Sequence, residues 1–444
     1  MDAGGRSLSS AAGQTERLTG LRIAVDAFNW DLKEGTGIAT YSRTLCSALQ
    51  TLGCEPALIF ERDVGSSSDA LVDEVSFYGS ENIPIRGRVA SLLRYFGLLR
   101  QAFSFSPIEA YRVLRHNAVV LAPADRSPYD IFNASNAGLR AHVRHLWTGR
   151  FSRLTLPDQF DVLHLTYPWP LTAKSMKIVT TVHDLIPLRL PYTTLDSKRE
   201  IVRRLRRTVE QSDLILTVSE SSKRDMVDLL GASPDKIEVT YQTADLEPLA
   251  DGEHKALDRT ISRFGLTADG YALFVGAIEP KKNLKRLVQA YLAADVSEPL
   301  VVVGRRAWMW EEQIREALAV NERSTSPRVI FLDYVSRDDL RFLYAGARCL
   351  LFPSLYEGFG LPCLEAMGSG TPVLTSSTSS LPEICGEAAV YVDPFDVANM
   401  RNQIEAIMSD GVLRGDLSAK GRARAELFSM ERYLAALTSA YGRL

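Results

Sequence analysis

The chain of 444 residues has little cysteine and no marked excess of charge of either sign. Its five cysteines are odd in number and show no CxxC spacing, which argues against a disulfide framework and against a zinc site. Basic and acidic side chains number 51 and 54, so the net charge of −3 gives no reason to expect nucleic acid as a partner. We therefore expect a cytoplasmic protein in a reducing compartment.

Long hydrophobic runs are also missing. No apolar stretch approaches the ~20 residues of a transmembrane helix. Residues 1–20 are small and polar, without the apolar core of a signal peptide, and are predicted to form a disordered tail. The length of the chain allows two or three domains of about 100 to 200 residues each.

Short β-branched runs alternate with longer helical segments in both halves of the chain. In the first half the predicted strands are 21–27, 56–60, 161–167, 177–185, 214–219 and 237–242. In the second half they are 271–277, 299–304, 328–334, 349–354, 372–377 and 388–394. This alternation predicts an α/β protein with two doubly wound, Rossmann-like domains.

Composition divides the chain further. We predict an N-terminal domain at 21–245, a linker at 246–262 that lacks strong helix or strand signals, and a C-terminal domain at 263–427. Residues 428–444 have the apolar stripe of an amphipathic helix that must pack against another element.

The segment RGRVASLLRYFGLLRQAF (86–103) combines arginines with apolar residues and contains no acidic residue. A basic amphipathic helix of this kind can lie on an anionic membrane surface. A core-facing helix with solvated arginines is the alternative.

The stretch PSLYEGFGLPCLEAM (353–367) joins two carboxylates to a glycine-rich turn and a helix start. It follows a predicted strand, and open α/β sheets bind ligands beyond the carboxyl ends of their strands. Gly358 and Gly360 let a ligand approach the backbone, and the free amides of a helix that starts near Pro362 suit a phosphate or diphosphate.

Carboxylates beside a phosphate site are repulsive unless they accept hydrogen bonds from hydroxyl groups. Glu365 lies about one turn into the predicted helix, where it can accept from a ribose diol, and Glu357 lies before the turn, where it can accept from a sugar on the diphosphate. The stretch therefore predicts a nucleotide-sugar site. The alternative is a pair of solvent-facing charges around a tight turn.

The same stretch resembles the signature of the retaining glycosyltransferases of the group 1 type, family 4. These enzymes have the GT-B fold, with two Rossmann-like domains facing a central cleft. Four further segments are similar to motifs of that family and occur in the same order, so the resemblance covers nearly the whole chain from residue 21 onward. They are GTGIATYSRTL (35–45), TVHDLIPL (181–188), TVSESSKRDM (217–226) and FVGAIEPKKNLKRLVQAY (274–291).

The resemblance implies roles for single residues and for whole domains. The N-terminal domain would bind the acceptor, the C-terminal domain would bind the nucleotide sugar, and the last helix would pack back on the N-terminal domain. His183, Glu357 and Lys282 would be catalytic: the histidine and the glutamate contact the donor sugar, and the lysine neutralises the diphosphate. The other implied donor-binding residues are Gly37, Gly276, Arg305, Gly358, Phe359, Gly360, Leu361 and Glu365. A structural histidine, a solvated lysine and a plain flexible loop at Gly37 are the alternatives.

One position departs from the family pattern. Many relatives have an arginine directly after the glycine of the first C-terminal strand, whereas Gly276 is followed here by Ala277. We predict that Arg305 or Arg306, at the end of another strand, supplies the missing cation.

Sequence patterns for a metal are weak. The chain contains no Asp-x-Asp, so we expect no metal and no cofactor, and Lys282 with the loop amides would stabilise the diphosphate. His142 and His145 have helical spacing but no nearby cysteine or acidic ligand, and we interpret them as surface residues.

The motifs GAIEPKKN and HDLIPL most resemble bacterial enzymes that build O-antigen or exopolysaccharide. This implies transfer of mannose or a related deoxyhexose, with a GDP-linked donor favoured over a UDP-linked one. The acceptor would be a glycan or lipid-linked oligosaccharide at the inner face of the cytoplasmic membrane. A nucleotide-sugar-binding protein without catalysis is the alternative from another class. A nicotinamide-dependent oxidoreductase is disfavoured, because the turn after the first strand lacks GxGxxG.

Overall fold

The computed structural model describes residues 18–30, 37–80, 106–115, 119–120, 127–194, 197–244, 249–250, 252–324, 326–333 and 335–444. Within these ranges the chain forms two α/β domains, each built on a mainly parallel sheet, with a cleft between them. The predicted fold class of two doubly wound, Rossmann-like domains is confirmed.

The described part of the N-terminal domain contains an eight-stranded sheet in the order β11-β10-β9-β7-β1-β2-β5-β4 and a small sheet in the order β3-β6-β8. The strands are β1 (Arg22–Asp26), β2 (Glu55–Phe60), β3 (Ile108–Glu109), β4 (Tyr111–Arg112), β5 (Asp130–Asn133), β6 (Ser152–Thr155), β7 (Val162–Leu165), β8 (Leu171–Thr172), β9 (Lys177–Thr181), β10 (Leu214–Thr217) and β11 (Ile237–Val239). The edge strand β4 is antiparallel to β5, and the other pairs of the large sheet are parallel.

Helices connect these strands. They are α1 (Gly37–Thr51), α2 (Ala70–Gly79), α3 (Ala137–Thr148), α4 (Ile186–Arg189), α5 (Lys198–Gln211) and α6 (Glu220–Leu230), with 3-10 turns at Pro191–Thr193 and Pro234–Lys236. Each of the strands predicted in this half is present, whereas β3 to β6, β8, α2 and α3 were not predicted. The basic segment 86–103 lies outside the described residues.

The described part of the C-terminal domain is more regular. Its sheet is parallel throughout and runs in the order β14-β13-β12-β15-β16-β17. The strands are β12 (Ala272–Val275), β13 (Leu300–Val303), β14 (Val329–Leu332), β15 (Cys349–Phe352), β16 (Val373–Ser376) and β17 (Ala389–Val392).

The helices after the N-terminal domain are α7 (His254–Ser262), α8 (Leu284–Ala293), α9 (Trp310–Asn321), α10 (Arg337–Gly346), α11 (Leu361–Ser369), α12 (Leu381–Cys385), α13 (Val397–Ser409), α14 (Gly411–Ala425) and α15 (Met430–Tyr441), with 3-10 turns at Pro280–Lys282 and Glu426–Phe428. The hydroxyl of Ser336 accepts from the Asp339 amide at 3.1 Å and forms the N-cap of α10.

Both faces of the C-terminal sheet are buried, which explains its continuous apolar strands. Successive residues of a strand point to opposite faces, so neighbouring positions enter different cores. One core contains Leu273, Val301, Leu350 and Val373. The other contains Phe274, Val302, Leu351 and Leu374.

Two boundary predictions need correction. Leu18 is buried in the N-terminal core, and the Gly20 amide donates to the Gly53 carbonyl oxygen at 2.9 Å, so residues 18–20 are part of the domain rather than of a tail. The predicted linker contains helix α7, which packs on α10 through the buried side chains of Leu257 and Ile261. The polar residues between these two apolar positions hid the helical period.

The last helix, α15, contacts α1 of the N-terminal domain. The hydroxyl of Tyr441 is hydrogen-bonded to Nδ1 of buried His164, whose Nε2 lies 2.8 Å from the Thr181 hydroxyl. The end of the chain is thus joined to the N-terminal sheet by both polar and apolar contacts.

All five cysteines are buried free thiols. Among the helices of the described ranges, none has the length and the hydropathy required to cross a membrane.

Candidate active site

The cleft between the domains has a volume of ≈ 1790 Å³ and is lined by the carboxyl ends of strands from both sheets. The structure brings every predicted site residue to this one cleft. They are Gly37, His183, Gly276, Lys282, Arg305, Glu357, Gly358, Phe359, Gly360, Leu361 and Glu365.

Glu357 follows β15 and is largely buried, with 8% of its surface exposed. Its Oε1 lies 2.6 Å from the ammonium nitrogen of Lys282 and accepts from the Ser354 hydroxyl at 2.5 Å. Burial alone would raise the pKa of this carboxyl, but attraction to Lys282 and Lys281 brings it below its ordinary value. Glu357 is therefore ionised at neutral pH and held in one orientation.

Lys282 is positioned by the residue after it. Asn283 has a φ of +61° and ends the 3-10 turn at Pro280–Lys282, and its side-chain amide donates to the carbonyl oxygens of Pro353 and Pro394 at 3.0 and 2.7 Å. These two bonds fix the lysine turn beside the end of β15. Lys282 and Glu357, 75 residues apart in sequence, meet for that reason.

The glycine loop leads into α11 as predicted. Gly360 has a φ of +112°, a region that favours glycine, and the helix begins at Leu361 with Pro362 in its first turn. The hydroxyl of Ser380 donates to the carbonyl oxygens of Glu357 and Phe359 at 3.0 and 2.8 Å. These bonds fix the position of the loop, whose residues line the cleft.

Glu365 lies in the second turn of α11. Its Oε2 accepts a hydrogen bond of 2.9 Å from the hydroxyl of Tyr344, which is fully buried. Burial and the nearby Glu365 carboxylate raise the pKa of Tyr344 well above its usual value. The tyrosine therefore remains a donor and orients the carboxylate.

The ends of β12 and β13 approach each other very closely. A Cβ at Gly304 would lie 1.9 Å from the carbonyl oxygen of Gly276, so glycine is required at this position. The chain then turns to Arg305 and Arg306, and both line the cleft. Arg306 pairs with Asp333 at 3.2 Å.

Sequence reasoning missed Lys281 as a further cation. Its ammonium lies 3.3 Å from a carboxylate oxygen of Glu279, and both residues line the cleft. Burial lowers the pKa of Lys281, but Glu279, Asp184 and Glu357 together raise it above its ordinary value. The doubled lysine in EPKKN was the available signal.

His183 follows β9 in the N-terminal domain. Its Nε2–H donates to the Thr166 carbonyl oxygen at 2.9 Å, and the ring of Tyr41 packs edge-to-face at 4.7 Å. Burial lowers the pKa of His183, so the imidazole is neutral at pH 7. The adjacent Asp184 accepts from the Ile186 amide at 2.9 Å and fixes the turn.

Asp26, at the end of β1, is a second residue that sequence reasoning missed. Its carboxylate accepts from the Thr166 amide and from Nε1 of Trp169. Burial raises the pKa of Asp26 to about 7. The carbonyl oxygen of Thr166 also accepts from His183. By binding the Thr166 amide, Asp26 therefore fixes the segment that orients the histidine. The acidic residue that closes the apolar run RIAVD was the signal.

The glycine loop also meets the N-terminal domain. A Cβ at Gly358 would lie 2.6 Å from the His183 carbonyl oxygen. Beside it, Tyr356 donates to Asp225 at 2.5 Å, and Glu383 accepts from the amides of Glu220 and Ser221 at 2.7 and 3.0 Å. These bonds place the loop against the ends of β9 and α6.

The histidine pair on α3 was only partly interpreted correctly. His142 is half-buried, but His145 is fully buried, with its ring 5.4 Å from that of Phe151, so the surface prediction is wrong for His145. Within the described residues, no group of three or more His, Cys, Asp or Glu side chains is placed to hold a metal ion.

Comparison with known proteins agrees with this architecture. Residues 35–248 match the family model described as Glycosyltransferase Family 4, and residues 260–424 match that of the Glycosyl transferases group 1. The chain is 35% identical over 413 residues to an O-antigen chain mannosyltransferase B of Escherichia coli, covering 91% of this chain and 96% of that one.

A second relative, the serotype-specific mannosyltransferase WbdA of Escherichia coli, is 30% identical over 74% of this chain and 39% of its own. Among solved structures, a sucrose-phosphate synthase from Thermosynechococcus elongatus superimposes with a TM-score of 0.66 at 19% identity, covering 95% of this chain and 98% of that one. The predicted GT-B fold is thereby confirmed, and the chain belongs to the group 1, family 4 glycosyltransferases.

Proposed function

We propose that this glycosyltransferase moves mannose, or a related deoxyhexose, from a GDP-linked donor to a glycan or lipid-linked glycan in cell-surface polysaccharide synthesis. The relatives named as O-antigen and serotype-specific mannosyltransferases support the sugar and the pathway class. The observation that carries the proposal is the meeting of Lys282, Glu357 and His183 at one cleft between the two domains.

The donor would lie along the C-terminal side of the cleft. Glu365 accepts from the ribose diol, the amides of Phe359, Gly360 and Leu361 bind the sugar and diphosphate, and Glu357 accepts from the sugar hydroxyls. The bonds from Ser354 to Glu357 and from Tyr344 to Glu365 support this arrangement, because both can stay in place when the donor binds.

Lys282 would neutralise the charge that develops on the leaving diphosphate. Its present partner is Glu357, so the arriving diphosphate would share or replace that partner. Arg305 would supply the cation that is missing at Ala277, and Lys281 adds positive charge nearby. With these groups the leaving group is stabilised without a metal ion or cofactor.

We propose that transfer retains the anomeric configuration. The acceptor hydroxyl would attack the anomeric carbon from the face that the diphosphate leaves, and a diphosphate oxygen would take the hydroxyl proton. Neutral His183 contacts the donor sugar beside the reaction centre. Packing of the Gly358 loop against the N-terminal domain supports a closed, water-poor site.

A lipid-linked acceptor would place the enzyme at the inner face of the cytoplasmic membrane. The segment 86–103, for which a membrane-surface helix is one of two interpretations, lies outside the described residues. A UDP-sugar donor and a non-catalytic nucleotide-sugar-binding protein remain the competing functions.

A thermal-shift titration with GDP, UDP, GDP-mannose and NAD tests the donor, because a ligand that binds the native state raises the melting temperature with concentration. We expect shifts with GDP and GDP-mannose, accompanied by acceptor-dependent release of GDP and by an unchanged anomeric configuration in the product. A shift with UDP alone would show that the donor is UDP-linked rather than GDP-linked. Binding without release of nucleotide in the presence of cell-surface glycan acceptors would favour the non-catalytic protein.

A further inference from the structure

Helices α3 and α5 lie side by side on the N-terminal domain. Arg203 of α5 donates to the carbonyl oxygens of His145 and Leu146 at 2.9 and 3.0 Å, in the last turn of α3. The His145 carbonyl also accepts from the Gly149 amide, so Arg203 adds a further bond at this helix end and ties one helix to the other. We name the exposed side chains of these two helices the α3–α5 face.

The α3 part of this face is apolar. Leu139 and Leu146 are two turns apart, with exposures of 43% and 41%, and Trp147 next to them is 67% exposed. The opposite side of α3, with Ala141 and His145, is buried against the domain. A helix that turns leucine and tryptophan outward presents an apolar surface to something outside the domain.

The α5 part is strongly basic. Arg199, Arg203 and Arg206 are exposed at the spacing of one helix side. They border a groove of ≈ 610 Å³ whose other charged lining residues are Lys198, Arg207 and Glu210. The segment 137–153, which includes α3, has four arginines and no acidic residue, and two of them, Arg140 and Arg144, lie on α3 and are partly exposed.

The acidic residues of α5 do little to offset this charge. Glu200 is buried, with its Oε1 3.6 Å from Nε of Arg204 and 3.8 Å from Nδ1 of His142. Glu210, at the end of the helix, lies 3.9 Å from Arg207. A local positive patch therefore stands out on a chain whose net charge is −3.

We propose that the α3–α5 face docks on an anionic phospholipid bilayer. Clustered arginines attract the surface of such a bilayer, and exposed tryptophan and leucine side chains enter the boundary between headgroups and acyl chains. A polyanion such as nucleic acid would be attracted by the charges but would not account for the outward leucines. The combination of both features on one surface selects the bilayer.

The biological role of this docking rests on the proposed function, in which the acceptor is a lipid-linked glycan. The other side of α5 carries Ile201, Arg204 and Leu205, which line the cleft. A bilayer bound to the outer side would therefore lie one helix away from the part of the cleft assigned to the acceptor. A lipid-linked glycan would reach the site without leaving the membrane.

Co-sedimentation of the full chain with vesicles tests the proposal. Vesicles of phosphatidylcholine with phosphatidylglycerol should bind the protein, and those of phosphatidylcholine alone should not. Each basic residue near an anionic surface contributes about fivefold in affinity, so Arg199→Gln with Arg206→Gln should weaken binding about twenty-five-fold. The matched control is Arg315→Gln with Arg323→Gln, exposed positions in the C-terminal domain. Trp147→Phe should remove the blue shift of tryptophan emission on binding.

Unchanged binding in the α5 pair, or equal loss in both pairs, would overturn the proposal. The same holds if the protein binds a soluble polyanion but no vesicle. Binding is measured without donor or acceptor, so its outcome does not depend on the sugar assignment. Transfer to a water-soluble acceptor should be unaffected in the α5 pair, which separates a failure of docking from a failure of the proposed function.

Discussion

The two halves of the cleft are built differently. On the C-terminal side, Glu357 is oriented by Lys282 and Ser354, and Glu365 by Tyr344, all from the same domain. On the N-terminal side, the orientation of His183 depends on the Thr166 segment, which is itself fixed by buried Asp26.

The two domains that surround these groups also differ in regularity. The described C-terminal sheet is parallel throughout, whereas the N-terminal domain adds an antiparallel edge strand and a separate small sheet. A regular domain that fixes its own polar groups suits a ligand whose chemistry is shared by many enzymes. A less regular domain suits a partner that varies from one enzyme to the next. We therefore propose that the C-terminal half of the cleft, the donor half, carries the common chemistry and that the N-terminal half, the acceptor half, carries the specificity.

The largest expected effect is on the donor half. Glu357→Gln removes the charge that we propose faces the sugar but keeps the shape of the side chain, and transfer should fall about a thousandfold, the upper end for loss of one preorganised polar group. The melting temperature should change by no more than about 2 to 4 °C, since a change near 1 kcal/mol has that effect in a domain of this size. Steady-state kinetics and a thermal melt measure the two quantities.

Glu387→Gln is the matched control, because Glu387 is an exposed acid of the same domain. It should leave both rate and stability unchanged. Near-wild-type transfer by Glu357→Gln would remove Glu357 from the catalytic residues. Loss of folding in that variant would show that the Lys282 pair is structural, and the contrast between the two halves would then need revision.

Sequence alone predicted the local structure of the C-terminal half well. The stretch SLYEGFGLPCLEAM places its strand, turn and helix within a few residues, so local patterns were enough to predict that Glu357 and Glu365 flank a helix start at the edge of the sheet. The side chains that hold these glutamates and the loop in place were harder to predict from the sequence. Tyr344 lies 21 residues before Glu365, and Ser380 reaches the glycine loop from the start of α12, so that both contacts depend on the order of the strands.

The acceptor half was predicted less completely for a physical reason. Its extra strands have two to four residues, too short to show a period, and all of them except β8 fall in the long interval between β2 and β7. The basic run of α5 was visible as KREIVRRLRR, but only packing shows which arginines point outward and that Trp147 lies beside them. His145 is the clearest failure, because a polar residue at helical spacing gave no sign of burial.

The second prediction sharpens the contrast through pH. His145, His164 and His183 all lie in the N-terminal domain, and the sequence has no histidine beyond His254. Burial lowers the pKa of His164 to about 3 and that of His145 to about 4. The unfolded chain therefore takes up protons near pH 6.5, before the folded domain does. The stability that these neutral histidines contribute is fully present above that pH. It is lost as the pH falls toward the pKa values that they have in the folded domain.

For His164 the expected loss between pH 6.5 and pH 4 is about 3 kcal/mol. His164→Gln should be less stable at pH 7, because the ring contacts to Tyr441 and Thr181 are altered, but its unfolding free energy should fall less on acidification by about that amount. Urea titrations at each pH measure this difference, with the unfolding free energy taken from the first unfolding transition. His254→Gln, at an exposed position, should follow the wild type. An equal acid dependence in all three proteins would refute the prediction.

The third prediction concerns the line where the two halves meet. Gly358 does not have a positive φ, so its backbone conformation is open to alanine. An added Cβ would nevertheless lie 2.6 Å from the His183 carbonyl oxygen and 3.1 Å from Cβ of Asp184, both in the other domain. Gly358→Ala should therefore leave each domain folded but keep the glycine loop from its place beside His183.

A displacement of about 1 Å in a catalytic arrangement can lower the rate about a hundredfold. We expect that loss in Gly358→Ala, with a nearly unchanged melting temperature and with donor binding retained, since the donor half is fixed within its own domain. Gly415→Ala, which meets open space on α14, is the control and should remain fully active. If Gly358→Ala instead loses donor binding as well, the donor half depends on the N-terminal domain for its geometry. The two halves would then be one cooperative site, and the division between common chemistry and specificity would lie within the loop rather than between the domains.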